Sequence, residues 1–282
     1  AMNTSPPTRA QGLGLREFLF SQLRVKITLP YLILAIMLAV VVTFTATQIL
    51  ARDLEERFTR RLIDSGQLAA DTVVKIEREQ LALLRTIIFT EGFGAAAQNR
   101  QASALKEIAQ PLVVNARADL IEVVDLNGGA LFVMHRRADA TRGDDYLYQP
   151  GAPYADWKIF SQVATGQLTQ GNDKFADIIS TPWGYTFYTA GPLKVGDKLV
   201  GVLLVGTYLD TVARRIDKES LARVSVYAPG GDIIATTLTT RDPARAGIAP
   251  AEYERILKLP ADQVYFRPAL TDAGTGDFTE GF

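Results

Sequence analysis

Between Leu120 and Met134 the chain reads Leu120-Ile-Glu-Val-Val-Asp-Leu-Asn-Gly-Gly-Ala-Leu-Phe-Val-Met134. Two short apolar runs flank Asn127-Gly128-Gly129. An Asn-Gly pair supplies the positive-φ positions of a tight hairpin turn, so the stretch predicts two antiparallel strands. The glycines are not a phosphate cradle, which needs a strand, a Gly-rich turn with lysine and then a helix. Here a second strand follows. His135, Arg136 and Arg137 at its end read as a solvated strand end rather than a site.

The same signal returns at Val224-Ser-Val-Tyr-Ala-Pro-Gly-Gly-Asp-Ile-Ile-Ala-Thr236. Laying Gly128-Gly129 over Gly230-Gly231 matches Val124 with Val226 and Leu131 with Ile233, which suggests two related modules in tandem. Between the copies, residues 152–167 suit a short helix and loops. Phe175-Ala-Asp-Ile-Ile-Ser180 and Tyr185-Thr-Phe-Tyr-Thr-Ala190 are strand-like. Gly191 to Asp210 holds a strand, a Gly-Asp turn and a continuous apolar strand, as in the centre of a sheet. A charged helix over 209–221 leads into the second copy, and a helix over about 102–118 precedes the first. Such an order predicts an α+β fold, an antiparallel sheet with helices to one side.

Upstream the pattern is helical. From Gln48 to about Thr90 there is no proline and one glycine, Gly66. Leu54, Phe58, Leu62, Ala69, Val73, Ile76, Leu83 and Ile87 recur at a three-or-four spacing. This is one long helix: a dimerising stalk first, then a face packed on its own domain, ended at Glu91-Gly92-Phe93-Gly94. Before it lies an uncharged, largely apolar run from Ile27 to Ala51, long enough to cross a bilayer core, which takes roughly 20 residues. A cleaved signal peptide has a shorter apolar region and a small-x-small site, and a surface helix needs a polar face. Pro30 is expected in the first turn of the span, where a missing amide donor costs little. Arg9, Arg16, Arg24 and Lys26 precede the span and Arg52, Arg57, Arg60 and Arg61 follow it, so the positive-inside rule returns a tie. Ala1 before Met2 reads as a cloning scar.

Composition excludes several functions. A net charge of −1 gives no basic field to recruit nucleic acid. No cysteine means no disulfide, Cys-ligated zinc or thiol catalysis, and a single histidine argues against His-rich metal sites and Ser-His-Asp chemistry. Asp144-Asp145 and the 272–277 stretch lack the ligand spacing of a calcium loop. No enzyme activity, metal or cofactor is expected.

Asp125-Leu-Asn-Gly-Gly-Ala-Leu-Phe-Val, Trp157 and the Gly191–Gly206 strand pair resemble a Cache domain, over roughly residues 50–282. Cache domains are the PAS-like extracytoplasmic sensor modules of bacterial chemoreceptors, sensor kinases and diguanylate cyclases. The long helix after a span and the second hairpin are similar to the double-Cache form. The resemblance implies a cytoplasmic tail at 1–26, a transmembrane helix at 27–51 and a stalk helix at 52–92. A membrane-distal Cache module then occupies 93–220, and 221–282 form a partial second module that still owes a closing strand pair. It implies an inner-membrane receptor fragment with its sensor domain periplasmic, a homodimer through the stalk, with any output domain beyond the fragment.

The resemblance also implies a pocket between the sheet and the loops before its later strands, with Trp157, Lys158, Trp183, Tyr185 and Tyr188, and Tyr146, Tyr148 and Tyr154 nearby; Thr207 falls at the end of the last strand. Alternation sets Tyr185 and Phe187 on one face and Thr186 and Tyr188 on the other. Amino-acid-binding double-Cache domains carry Arg-x-Trp-Tyr, Tyr-x-Asp and a final Asp. Here Ala155, Trp157 and Lys158, then Asp177 and Ile179, then Thr207 stand at those positions. Without the Arg fork for a carboxylate or the acids for an ammonium, ordinary amino acids lose their charge partners. Lys158 remains as an anchor for an anion. The ligand is then another small molecule or a periplasmic protein. A membrane-anchored structural or protein-interaction module is the alternative, and a sealed core around Trp157 and Tyr185 would favour it.

Overall fold

The computed structural model of the protein describes residues 15–137, 145–148, 153–166, 174–239, 247–260, 263–272 and 276–281. Two compact units divide at Arg60 and Arg61. The first helix, α1 (Leu15–Ile88), runs unbroken for 74 residues, about 110 Å at 1.5 Å per residue.

In the first unit every residue from Thr28 to Leu50 is exposed. A helix apolar all round with nothing packed on it suits hydrocarbon rather than water. Among the described residues, one helix is long and apolar enough to cross a membrane. The Thr45 and Thr47 hydroxyls turn back and donate to the carbonyls of Val41 and Thr43, both at 2.8 Å. That satisfies them within their own helix, as an apolar surround requires. Pro30 is not in a first turn. The helix starts fifteen residues earlier, at Leu15, because 15–29 holds no breaker; Pro30 therefore removes an interior amide donor.

The second unit is built on a six-stranded antiparallel sheet. Its strands are β1 (Leu120–Asp125), β2 (Ala130–Arg136), β3 (Tyr146–Leu147), β4 (Phe175–Thr181), β5 (Gly184–Val195) and β6 (Lys198–Tyr208). The spatial order is β3-β2-β1-β6-β5-β4. One face, through Ile121, Val123, Phe132, Met134, Leu203 and Val205, buries the end of α1 (Leu83, Leu84, Ile87) and the two helices that follow. These are α2 (Phe93–Gln98) and α3 (Ala102–Ala116). The opposite face, through Leu120, Val124, Tyr188, Ala190, Val202 and Leu204, is covered by a 3₁₀ turn (Tyr154–Asp156) and α4 (Lys158–Ala164). A third cluster packs α5 (Leu209–Ser220) on Ile76 of α1 and Ala235.

Several expectations change. Gly191-Pro192 does not start a new strand, because β5 continues through it to Val195. Pro192 is tolerated there since β4 stops pairing at Ala190, leaving that edge free. At Gly191 a Cβ would lie 2.7 Å from Leu84 Cδ2, so the helix sits against bare backbone. His135 is not solvated: it is 6 % exposed, because β3 pairs along it and covers the strand end.

The second hairpin is β7 (Ser225–Tyr227) and β8 (Ile233–Thr236). Its match to the first differs by one residue from the alignment of the glycine pairs. Val124 pairs Ala130 after a bulge at Val123/Val124, and Tyr227 pairs Ile233 after a bulge at Val226/Tyr227. The turn bonds agree: Gly128 N–H to Asp125 O and Gly231 N–H to Ala228 O, both 3.0 Å. Gly128 therefore answers to Gly231, and both carry positive φ, 80° and 96°.

Beyond it come α6 (Pro250–Ile256) and a further strand pair, β9 (Phe266–Asp272) and β10 (Gly276–Gly281). That pair forms its own two-stranded sheet rather than extending β7–β8. Asp144 lies outside the described residues.

Candidate functional site

Among the described residues, the sheet face away from α1 carries one buried acid in its centre, Glu122 of β1. Strand alternation puts it there, since Leu120 and Val124 face the same way. The Tyr188 hydroxyl donates to Glu122 Oε1 at 3.0 Å, while Oε2 has no well-formed hydrogen bond, although the Tyr154 hydroxyl also bears on the carboxyl. Burial drives the carboxyl up to about 8, against the smaller opposing pull of the Tyr188 and Tyr154 hydroxyls. No lysine or arginine among the described residues bears on it. The acid in turn raises both tyrosines, although burial is the larger cause.

Aromatic rings close over this acid. Tyr154 meets Trp157 edge-on at 4.8 Å between centroids, and Trp157 leans on Tyr188 at 5.3 Å. Tyr154 and Tyr188 are completely buried, whereas Trp157 is partly open. The 3₁₀ turn that brings Tyr154 and Trp157 here rests on the first hairpin. A Cβ on Gly128 would stand 2.9 Å from Ala155 N, so the glycine permits the approach as well as the turn. Trp183 sits in the two-residue turn between β4 and β5 and stacks on His135 at 4.7 Å. Its indole N–H and the Tyr154 hydroxyl are buried without a well-formed hydrogen bond.

Of the residues expected at the pocket, the structure unites Trp157, Trp183, Tyr188 and Tyr154 around Glu122. Lys158 is exposed at the start of α4, and Tyr185 is 38 % exposed near the β4–β5 turn. Tyr146 belongs to the opposite face, where its hydroxyl donates to Ala118 O at 2.6 Å. Burial is the main cause that raises this phenol to about 12. Tyr148 lies under Lys106, 3.9 Å from the ammonium to the ring centre. Thr207 also faces α1, where its hydroxyl accepts from Gln80 Nε2 at 2.9 Å. Glu122 itself escaped sequence inspection. The available signal was a lone acid inside the apolar run Leu120-Ile-Glu-Val-Val.

At the end of β1, Asp119 is ion-paired with Arg136 at 2.6 Å and accepts the Tyr208 amide at 3.1 Å. Burial raises its pKa and outweighs Arg136. This corner locks β1, β2 and β6 together. On the α1 side, Gln80 is buried and bridges β5 and β6: Thr189 Oγ1 of β5 donates to Gln80 Oε1 at 2.7 Å, and Gln80 Nε2 donates to Phe187 O of β5 and to Thr207 Oγ1 of β6, both at 2.9 Å.

Residues 55–259 match the family described as the double sensory domain of two-component sensor kinases. The chain belongs to the double-Cache sensory family. The double-Cache fold recurs in solved structures of low identity. The ligand-binding domain of the Campylobacter jejuni chemoreceptor Tlp3, in complex with L-valine, is 13 % identical at a TM-score of 0.54, over 76 % of this chain and 84 % of that one. Its sensory domain with isoleucine bound gives 12 %, 0.53 and the same coverage. Among curated protein sequences none matches the chain. As a double-Cache region it is a sensory module of signal transduction rather than an enzyme.

Proposed function

We propose that this double-Cache region senses a small molecule on the sheet face of its first module, with Glu122, Tyr154, Trp157, Trp183 and Tyr188 as the binding group. One observation carries the proposal: a fully buried carboxyl group with an unpartnered oxygen beneath aromatic rings, one of them partly open. A merely structural core gains nothing from such a group, since an unsatisfied buried polar atom costs about 1–3 kcal/mol. The ligand is not an ordinary amino acid. Tlp3 binds valine and isoleucine, but Ala155 and Thr207 stand here where the family's Arg and final Asp would hold an amino acid's charges.

Signal passes from the site through β5. Tyr188 lies between Phe187 and Thr189, the two residues that Gln80 of α1 holds, so a shift of Tyr188 bears on the helix. Arg215 of α5 adds a bidentate pair to Glu79 of α1, with both contacts at 2.6 Å. The protein lies in the inner membrane with its amino terminus cytoplasmic and this module periplasmic. It dimerises through α1, where Leu54 and Leu68 stand two heptads apart and are exposed by 58 % and 39 %.

Titrating the full chain in lipid nanodiscs against organic acids, amines, purines and amino acids, read by thermal shift, tests the site. A ligand that stabilises the native chain, and fails to stabilise the Trp157→Ala variant, is the expected result. Stabilisation untouched by that substitution would move sensing elsewhere.

A further inference from the structure

Taking the binding face proposed above as given, the charge of its ligand follows from the groups on it. Glu122 occupies its centre with Oε2 unpartnered. A second acid, Asp177 of β4, lies opposite Tyr188 in the β4–β5 register and so on the same face, at its exposed edge. The basic residues nearby are otherwise placed. Arg136 is held by Asp119, Lys174 is ion-paired with Glu77 of α1 at 2.5 Å, and Lys158 is exposed on α4. The expected anion anchor at Lys158 therefore gives way to an acidic, ring-lined face.

We propose that the first module binds a small primary or secondary organic amine that carries no carboxylate, with Glu122 as its counter-charge and Trp157, Tyr154 and Tyr188 as its aromatic walls. An ammonium N–H supplies the donor that Oε2 lacks, and ring faces attract a cation electrostatically. A carboxylate on the ligand would meet two acids and, among the described residues, no buried cationic partner on this face.

Binding carries a proton step. The groups bearing on Glu122 are Tyr188 from β5 and Tyr154 from the 3₁₀ turn; Tyr208 of β6, His135 of β2 and the Asp119–Arg136 pair complete the titratable surroundings. Without ligand the buried acid holds its proton below about pH 8. An arriving ammonium requires the carboxylate, so one proton leaves to solvent for each amine bound. Affinity then rises about tenfold per pH unit from pH 6 towards pH 8, while a simple amine stays charged.

The test is isothermal titration of the full chain in nanodiscs with butylamine and phenethylamine, beside butyrate, valine and butan-1-ol. Expected are amine binding with that pH slope, loss of at least about tenfold in affinity in Glu122→Gln, and unchanged affinity in Lys158→Ala. Gln is isosteric with the protonated acid, and an unliganded melting temperature at pH 6 equal to that of the parent confirms its fold. A second variant, Tyr188→Phe, also weakens amine binding by removing the hydroxyl at Oε1. Butyrate or valine binding without amine binding would overturn the inference and leave the sensing face standing. Amine binding with no pH slope, or equal in Glu122→Gln, would overturn it as well. No binding by any of these compounds would overturn the inference and leave the sensing face to be decided by the thermal-shift titration.

Discussion

Gln80 and Thr189 face each other side chain to side chain, Thr189 Oγ1 donating to Gln80 Oε1 at 2.7 Å across the boundary between α1 and β5. The amide nitrogen of the same glutamine donates to Phe187 O and to Thr207 Oγ1, both at 2.9 Å. Two of these bonds tie the helix to β5, the strand that carries Tyr188, and the third reaches β6. Gln80→Ala leaves the Thr189 hydroxyl and the Phe187 carbonyl without this partner and is expected to cost about 1–3 kcal/mol in chemical denaturation. Gln80→Glu keeps the acceptor; it can donate one of the two bonds when protonated and neither when ionised. It should fall between the parent and the alanine variant at acidic pH and approach alanine near neutrality. Stability equal to the parent in both variants would remove Gln80 from the account.

Stability should fall with rising pH through Glu122. Its folded-state pKa of about 8 stands above the ordinary 4.5, so the native state holds a proton that the unfolded chain has already released. Between these values the slope of stability with pH is negative, and the contribution is intact below about pH 4.5. Glu122→Gln should flatten that decline in melts taken from pH 5 to pH 8. An unchanged slope would place the titration elsewhere.

Two glycines should respond with opposite sign. Gly66 lies in α1, and a Cβ added there would have nothing within 4 Å, so Gly66→Ala should stabilise the helix by about 0.5–1 kcal/mol. Gly231 has φ +96°, and a Cβ there would fall 2.0 Å from Ile248 O, while its own carbonyl accepts the Ile248 amide at 2.7 Å. Gly231→Ala should break that junction and expose the segment after Ile248, measurable as faster amide exchange over 247–256. Similar exchange in parent and variant would argue against the contact.

The chain contains no cysteine, so single introduced thiols report without background. Oxidation should link Leu54→Cys or Leu68→Cys chains into dimers in membranes. Ile76→Cys should stay monomeric, since Ile76 is 2 % exposed and packed beneath α5. Equal crosslinking at Ile76 and Leu54 would contradict a stalk that is dimeric first and then packed on its domain.

The first hairpin was legible because its turn demands positive φ, and Asn127-Gly128 announces that demand locally. The uninterrupted helix was legible because nothing in 48–88 breaks it. Burial of His135 was not, since it depends on β3, a strand of two residues far too short to leave a pattern. The hairpin repeat was legible but slipped by one residue, because matching glycine letters ignores the bulge that sets the register. At the site, aromatic residues drew attention and four of them do converge. Their common partner Glu122 was hidden by ordinary strand spelling, and Tyr146 and Thr207 fell to the other face, which only the sheet order reveals.

The hairpin register has a further consequence. Glu122 faces Val133 across the first hairpin, and the equivalent pair in the second is Ser225 and Thr236, whose hydroxyls bond each other at 2.9 Å. The hairpin bearing Glu122, a buried acid with no ionic partner, thus has a counterpart in which the hydroxyls at the equivalent pair satisfy each other. Twin hairpins with shared geometry and divergent chemistry describe a division of labour: recognition can change in one half by altering a few side chains, while the other keeps its architecture undisturbed.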